Sequence, residues 1–281
     1  MKKTALLLLA SCYSLFSTAQ QHHCCTPPSN TDGMIAMAKS DAFIKAHDAP
    51  EPLDYSQQRG SMISFNTLDG KKASAYYVPS PEAATRVLLL FHEWWGLNDY
   101  IRREADRWQD SLGPVDVYAV DLYDGKVATT AAEASKLSSS LDERRTDAIL
   151  KGLLAKAGKD KQIATLGWCM GGAYAFRASV LMGKQADGCV MYYGFPEKDV
   201  KKISPLKTDV LYIRGTQDQF ITGVMVTAFA KEVKQAGRQI QVISYDAVHA
   251  FANPSNPHHD AFSAADAEQK ALAFLRKYLT L

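Results

Sequence analysis

The sequence predicts an α/β fold with a mainly parallel central sheet and helices on both faces, and three observations lead there. Short apolar runs recur from Val87 onward, as strands covered on both faces require. Stretches with helical spacing separate them, and that alternation is the mark of a parallel sheet. No repeat, low-complexity tract or mid-chain linker interrupts the pattern, so residues 61–281 form one domain.

The elements follow in order. Met62 to Asn66 and Ala75 to Val78 flank Asp69-Gly70, a hairpin turn signal. Val87-Leu88-Leu89-Leu90-Phe91 is a continuous apolar run. Val115–Val120, Ile163–Trp168, Gly188–Tyr193, Val210–Ile213 and Ile240–Tyr245 are similar. Helices are predicted over about 99–112, 130–157, 170–183, 223–236 and 260–279. Residues 20–60 read as an N-terminal extension, with one helix from Met34 to His47 that Asp48-Ala49-Pro50-Glu51-Pro52 breaks.

The first 19 residues read as a signal peptide. Met1-Lys2-Lys3 is basic, Thr4 to Phe16 carries no charge, and Ser17-Thr18-Ala19 offers small residues for cleavage after Ala19. The alternative is a lipoprotein anchored through Cys12, since Leu9-Ala10-Ser11-Cys12 is similar to a lipidation box. Either way the protein is expected to be exported, periplasmic or secreted. No other segment is long and apolar enough to span a membrane.

Composition narrows the partners. Of 281 residues, 47% are hydrophobic and 22% charged, and 32 Lys+Arg face 30 Asp+Glu for a formal net charge of +2. Lys2 and Lys3 account for that excess. A balanced surface points away from nucleic acid and anionic lipid and towards a small-molecule substrate. Five cysteines in a chain of this length exclude a disulfide-stapled miniprotein. His22-His23-Cys24-Cys25 invites a metal, but it lies in a polar tail beside Thr26-Pro27-Pro28, where nothing fixes ligand geometry. No metal site is assigned. Cys189, in an apolar run, reads as a buried strand thiol.

The strongest chemical signal is Gly167-Trp168-Cys169-Met170-Gly171-Gly172, which follows one strand and opens one helix. That is the context of a nucleophile elbow, with cysteine as the nucleophile, and it refines the fold to an α/β-hydrolase fold. Small residues two positions to either side relieve a sharp turn, and the helix N-terminus favours thiolate and developing oxyanion. The acid and the base follow in the required order, Asp218 after Val210–Ile213 and His249 after Ile240–Tyr245. Each lies just beyond the carboxyl end of a strand, where open α/β sheets build their sites. Asp218 alone could instead cap the helix that follows. Asp246 is a rival acid within His249's own loop, and His258 and His259 are rival bases beside Pro257. Phe91-His92-Glu93-Trp94-Trp95-Gly96 begins at the end of a strand whose following loop donates the second oxyanion N–H in this architecture. Glu93 either serves the site there or caps the next helix, and Trp94 and Trp95 either shape a pocket or pack the core.

Together these residues resemble the dienelactone hydrolase family. The carrying features are Glu93-Trp94-Trp95-Gly96-Leu97-Asn98, Asp121-Leu122-Tyr123, the Gly-Trp-Cys-Met-Gly-Gly elbow, Asp218 and His249-Ala250-Phe251, and the resemblance covers about residues 60–281. It implies a Cys169-His249-Asp218 triad that hydrolyses ester or lactone bonds without a metal or organic cofactor. It also implies that Glu93 lies near the resting thiol and helps control its deprotonation. The oxyanion hole would be the backbone N–H groups of Met170 and Trp94. Two arginines that clamp the substrate carboxylate in dienelactone-cleaving members are replaced here: one position holds Gly125 with Lys126 beside it, the other Asn253. A point charge is a poor substitute for a bidentate fork. Trp95, Tyr123, Lys126, Trp168, Phe251 and Asn253 are expected to line the substrate pocket. The expected activity is hydrolysis of a small ester or lactone. A thioesterase or acyltransferase on the same triad and a non-catalytic exported binding protein are the alternatives.

Overall fold

The computed structural model describes residues 29–281; the signal segment, Cys12 and the 22–25 cluster lie outside the described residues. Eight strands form one sheet: β1 (Ser61–Asn66), β2 (Lys72–Val78), β3 (Arg86–Phe91), β4 (Asp116–Val120), β5 (Gln162–Trp168), β6 (Ala186–Tyr192), β7 (Val210–Gly215) and β8 (Ile240–Tyr245). Their order is β1-β2-β4-β3-β5-β6-β7-β8. The pairings from β4 to β8 are parallel, and β2 is antiparallel to both its neighbours. Every strand read from the sequence is present, because runs such as Val87–Phe91 and Ile163–Leu166 are wholly buried.

Among the described residues, nine helices accompany the sheet: α1 (Asn30–Ala38), α2 (Asp41–Lys45), α3 (Asp99–Leu112), α4 (Ala131–Ser139), α5 (Glu143–Ala157), α6 (Met170–Met182), α7 (Val200–Ile203), α8 (Gly223–Gln235) and α9 (Ala261–Tyr278). α3 and α9 pack together on one face, α5 and α6 on the other. Two long helices expected from the sequence are each divided, and the cause is the same. Within 130–157, Asp142 accepts from the Arg145 N–H and starts α5 afresh. Within 34–47, Ser40 accepts from the Phe43 N–H and starts α2. A serine or aspartate that satisfies the orphan donors of a new first turn competes with helix continuation.

The N-terminal extension is not a loose tail over its described length. α1 begins with a capping box on Ser29 and Asp32. The Asn30 side chain donates to the Ala173 carbonyl of α6 at 2.9 Å, and its backbone N–H to Glu197 at 3.1 Å. Met34, Ala38 and Phe43 belong to the main hydrophobic core. Among the described residues, no helix is long and apolar enough to cross a membrane.

Candidate active site

Five strands end at one place. The residue after β5 is Cys169, which sits at φ 52° and ψ −117°, a conformation that costs a non-glycine residue of order 1–3 kcal/mol. Neighbouring structure holds it there. The Cys169 N–H donates to the Tyr192 carbonyl of β6 at 2.9 Å. A Cβ on Gly171 would lie 2.1 Å from the Phe91 carbonyl oxygen, and one on Gly167 would lie 2.1 Å from that of Gly171. Only glycine at both flanks lets α6 close onto the ends of β3 and β5.

The sulfur meets a base, and the base meets an acid. His249 Nε2 is 3.3 Å from Cys169 Sγ, and His249 Nδ1 donates to Asp218 Oδ2 at 2.7 Å. The other Asp218 oxygen accepts from the Phe220 and Ile221 N–H groups at 2.8 and 2.9 Å. Asp218 does not cap α8; Thr222 does. The rivals lie elsewhere. Asp246 is exposed and accepts from Gln217 and Thr216, and His258 and His259 are exposed.

Electrostatics set the resting state. Burial works against charge on Asp218, yet His249 and the two backbone N–H groups hold its carboxyl below the usual range. Burial likewise opposes an imidazolium, but Asp218 and the adjoining sulfur raise His249 well above its usual value. Burial raises the Cys169 thiol, with Glu93 adding to the rise and His249 opposing it. The two groups are coupled: burial opposes charge on each, while the charged form of either favours the charged form of the other.

Glu93, beyond β3, is buried and faces this group. Burial raises its pKa to about 7, while His249, Tyr193 and Asn253 hold it from rising further. Tyr193 donates to one carboxylate oxygen at 3.3 Å, and the Asn253 amide donates to the other. Glu93 does not cap α3, whose cap is Asn98. Its loop is held from behind. His92 Nδ1 donates to the Glu93 carbonyl at 2.6 Å, which leaves His92 Nε2 to accept from the Leu122 N–H at 3.2 Å. Asp121 accepts from the Tyr123 and Gly125 N–H groups.

The expected oxyanion donors are the first residue of α6 and a residue of the turn that follows β3. Met170 is the first residue of α6, so its N–H has no partner within the helix. The Trp94 N–H has no protein acceptor among the described residues.

The pocket residues divide. A cavity beside the site is lined by Glu93, Trp95, Trp168 and Asn253, as expected, together with Tyr100 and Ile101. Tyr123, Phe251 and Lys126 do not line it. Tyr123 is buried below the Glu93 loop, where its hydroxyl donates to the Trp94 carbonyl at 2.9 Å and so positions that loop. Phe251 is fully buried between Tyr193 and Tyr245, because its apolar ring completes the core beneath the His249 loop. Lys126 is exposed on the loop after β4, where its charge stays solvated.

Sequence reasoning missed four side chains here. Tyr193 lies directly after β6, at a strand end like the others, and its ring is 5.2 Å from that of His249. That placement was a usable signal. Phe220, two residues beyond Asp218, has its ring 5.7 Å from His249. Phe43 and His47 arrive from the N-terminal extension, and no motif announces them.

The Dienelactone hydrolase family model matches residues 74–279. Carboxymethylenebutenolidase of Pseudomonas sp. (strain P51) is 31% identical, over 76% of this chain and 94% of its own length. That of Pseudomonas putida is 29% identical over the same shares, and Protein usf of Aquifex pyrophilus is 29% identical over 79% of this chain and 100% of its own. Among solved structures, the dienelactone hydrolase-like promiscuous phosphotriesterase P91 from metagenomic libraries superposes with a TM-score of 0.67 at 21% identity, covering 78% of this chain and 99% of that one. The strand order, the elbow and the family match converge: the chain belongs to the dienelactone hydrolase family of α/β-hydrolases.

Proposed function

We propose that this protein is a thiol-nucleophile hydrolase of small, uncharged esters or lactones. The observation that carries the reading is the line from Asp218 through His249 to a sulfur held on a strained elbow, 2.7 and 3.3 Å between heavy atoms. A core cysteine needs neither the strain nor the oriented base. Cys189 is the contrast: it is buried on β6 with its thiol raised to about 11 by burial, and no base adjoins it.

The cycle balances without a cofactor. His249 Nε2 takes the Cys169 proton. The thiolate adds to the carbonyl carbon, and the π pair moves to oxygen, where the Met170 and Trp94 N–H groups receive it. Collapse breaks the carbon–oxygen bond, and the departing alkoxide takes the proton from His249. Water, deprotonated by His249, then adds to the thioester and expels the sulfur, which recovers its proton. Glu93 disfavours a second negative charge nearby and keeps the thiol protonated until substrate arrives.

Substrate charge follows from the cavity lining. It contains Glu93 and Glu104 and no lysine or arginine. Asn253 is committed to Glu93, and Lys126 points to solvent. An anionic substrate, such as the name carboxymethylenebutenolidase implies for the relatives, would find no counter-charge here. Tyr100, Trp95, Trp168 and Ile101 suit an apolar acyl group. We further propose that residues 1–19 direct export, which the N-terminal residue of the mature protein would report. The function itself is tested with a panel of small esters and lactones, with Cys169→Ala as the control: turnover by the wild type alone supports the reading, and equal turnover by the variant ends it.

A further inference from the structure

The chain carries a short segment, 29–47, before the family-matched residues 74–279, and it packs on the reacting groups. Phe43, fully buried, sets its ring 5.0 Å from Trp94, 4.9 Å from Phe220 and 5.8 Å from His249. His47 sets its ring 4.9 Å from Trp94 and 5.6 Å from His249. The two rings are 4.0 Å apart and form one unit. His47 Nδ1 donates to the Phe43 carbonyl at 2.7 Å, which leaves Nε2 as the acceptor. Burial and the neighbouring His249 lower the His47 pKa to about 4, so it presents a neutral, partly polar edge.

Which part of a substrate would meet this unit follows from the chemistry. In the tetrahedral intermediate the oxyanion lies at the Met170 and Trp94 N–H groups, and the leaving oxygen lies within reach of His249 Nε2. A side chain that touches both Trp94 and His249 therefore borders the leaving group. The cavity of Trp95, Trp168, Tyr100 and Ile101 contains no residue of 29–47, and it remains for the acyl group. We propose that Phe43 and His47 form the wall of the leaving-group subsite and restrict this enzyme to esters of small alcohols and to lactones. The inference rests on the thiol-hydrolase reading above.

The wall is built rather than incidental. Asn30 is anchored on α6, the helix that begins at the elbow, and on Glu197. A Cβ on Gly33 would fall 2.2 Å from the Phe195 ring, so α1 packs directly on that ring with no room for a side chain there. Ser40 then caps α2 and turns Phe43 inward.

The test compares kcat/KM for methyl and 1-naphthyl esters of one short acid in the wild type, Phe43→Ala and His47→Ala. The naphthyl-to-methyl ratio should rise at least tenfold in Phe43→Ala and severalfold in His47→Ala. A ratio unchanged in both overturns the wall. A second measurement does not depend on turnover: alkylation of Cys169 by iodoacetamide and by a bulky N-aryl maleimide, followed by mass spectrometry. Selective acceleration of the bulky reagent in either variant supports the wall, and equal acceleration of both reagents, or none, rejects it. Should the wild type hydrolyse no ester, the function fails while alkylation still decides the wall.

Discussion

The side-chain amide of Asn253 donates to the carboxylate of Glu93. Asn253 stands at a position where the resemblance puts a substrate-clamping arginine, and in this chain its side chain supports the Glu93 carboxylate. The hydrogen bond favours the ionised form of Glu93 against the burial that raises it. Asn253→Ala should therefore push the Glu93 pKa above about 7, keep that carboxyl neutral over a wider range and displace the Cys169 alkylation profile to lower pH. An unchanged profile would show that Glu93 does not govern the titration.

Glu93→Gln separates regulation from packing. With the carboxylate gone, Cys169 should ionise at lower pH, visible as an alkylation profile displaced to acid, and peroxide should inactivate the variant faster. Stability carries a second signature. The folded pKa of about 7 exceeds the ordinary 4.5, so stability falls as pH rises through that window, because the unfolded chain ionises first. Glu93→Gln should lack that decline, as thermal melts at pH 5 and pH 8 would show.

Cys169→Ala should lower ester turnover by ~10³-fold or more with the fold retained. Iodoacetamide should inactivate the wild type by labelling Cys169, not Cys189, whose thiol is fully buried without a base. Labelling of Cys189 alone would refute the assignment.

A neutral small ester should be hydrolysed at least as well as a lactone bearing a carboxylate. Preference for the anion by about a hundredfold would require a cation worth roughly 3 kcal/mol in the site. Asn253→Arg should not create that preference, because the guanidinium would pair with Glu93 first.

His47 makes the fold sensitive to acid. Its folded pKa of about 4 lies below the ordinary 6.5, so between those values the unfolded chain binds a proton that the folded chain refuses. Stability should fall as pH drops through that window, and His47→Gln should flatten the fall by several degrees in Tm. Equal melting curves would place the ring in solvent.

Much of this was legible in the sequence, for a local reason. A fully covered parallel strand must be apolar along nearly its whole length, which exposed β3 to β7; β8, at the sheet edge, has no fully buried residue and shows only a partial run. A nucleophile elbow must have glycine at its flanks, which exposed Cys169. The order of Asp218 and His249 after two strands placed them at the same sheet end. Breaks between helices were less visible, since Ser40 and Asp142 end one helix only by starting another.

What the sequence determined by itself was the sheet, the elbow and the order of sulfur, acid and base, because these follow from neighbours in the chain. Only the tertiary structure decided what surrounds them. Tyr193 and Asn253 converge on Glu93 from separate loops, and Phe43 and His47 reach His249 from a segment about two hundred residues away. Aromatic contacts of that kind have no period and no required spacing. They arise where apolar surface must be covered, and the surface exists only once the sheet has formed.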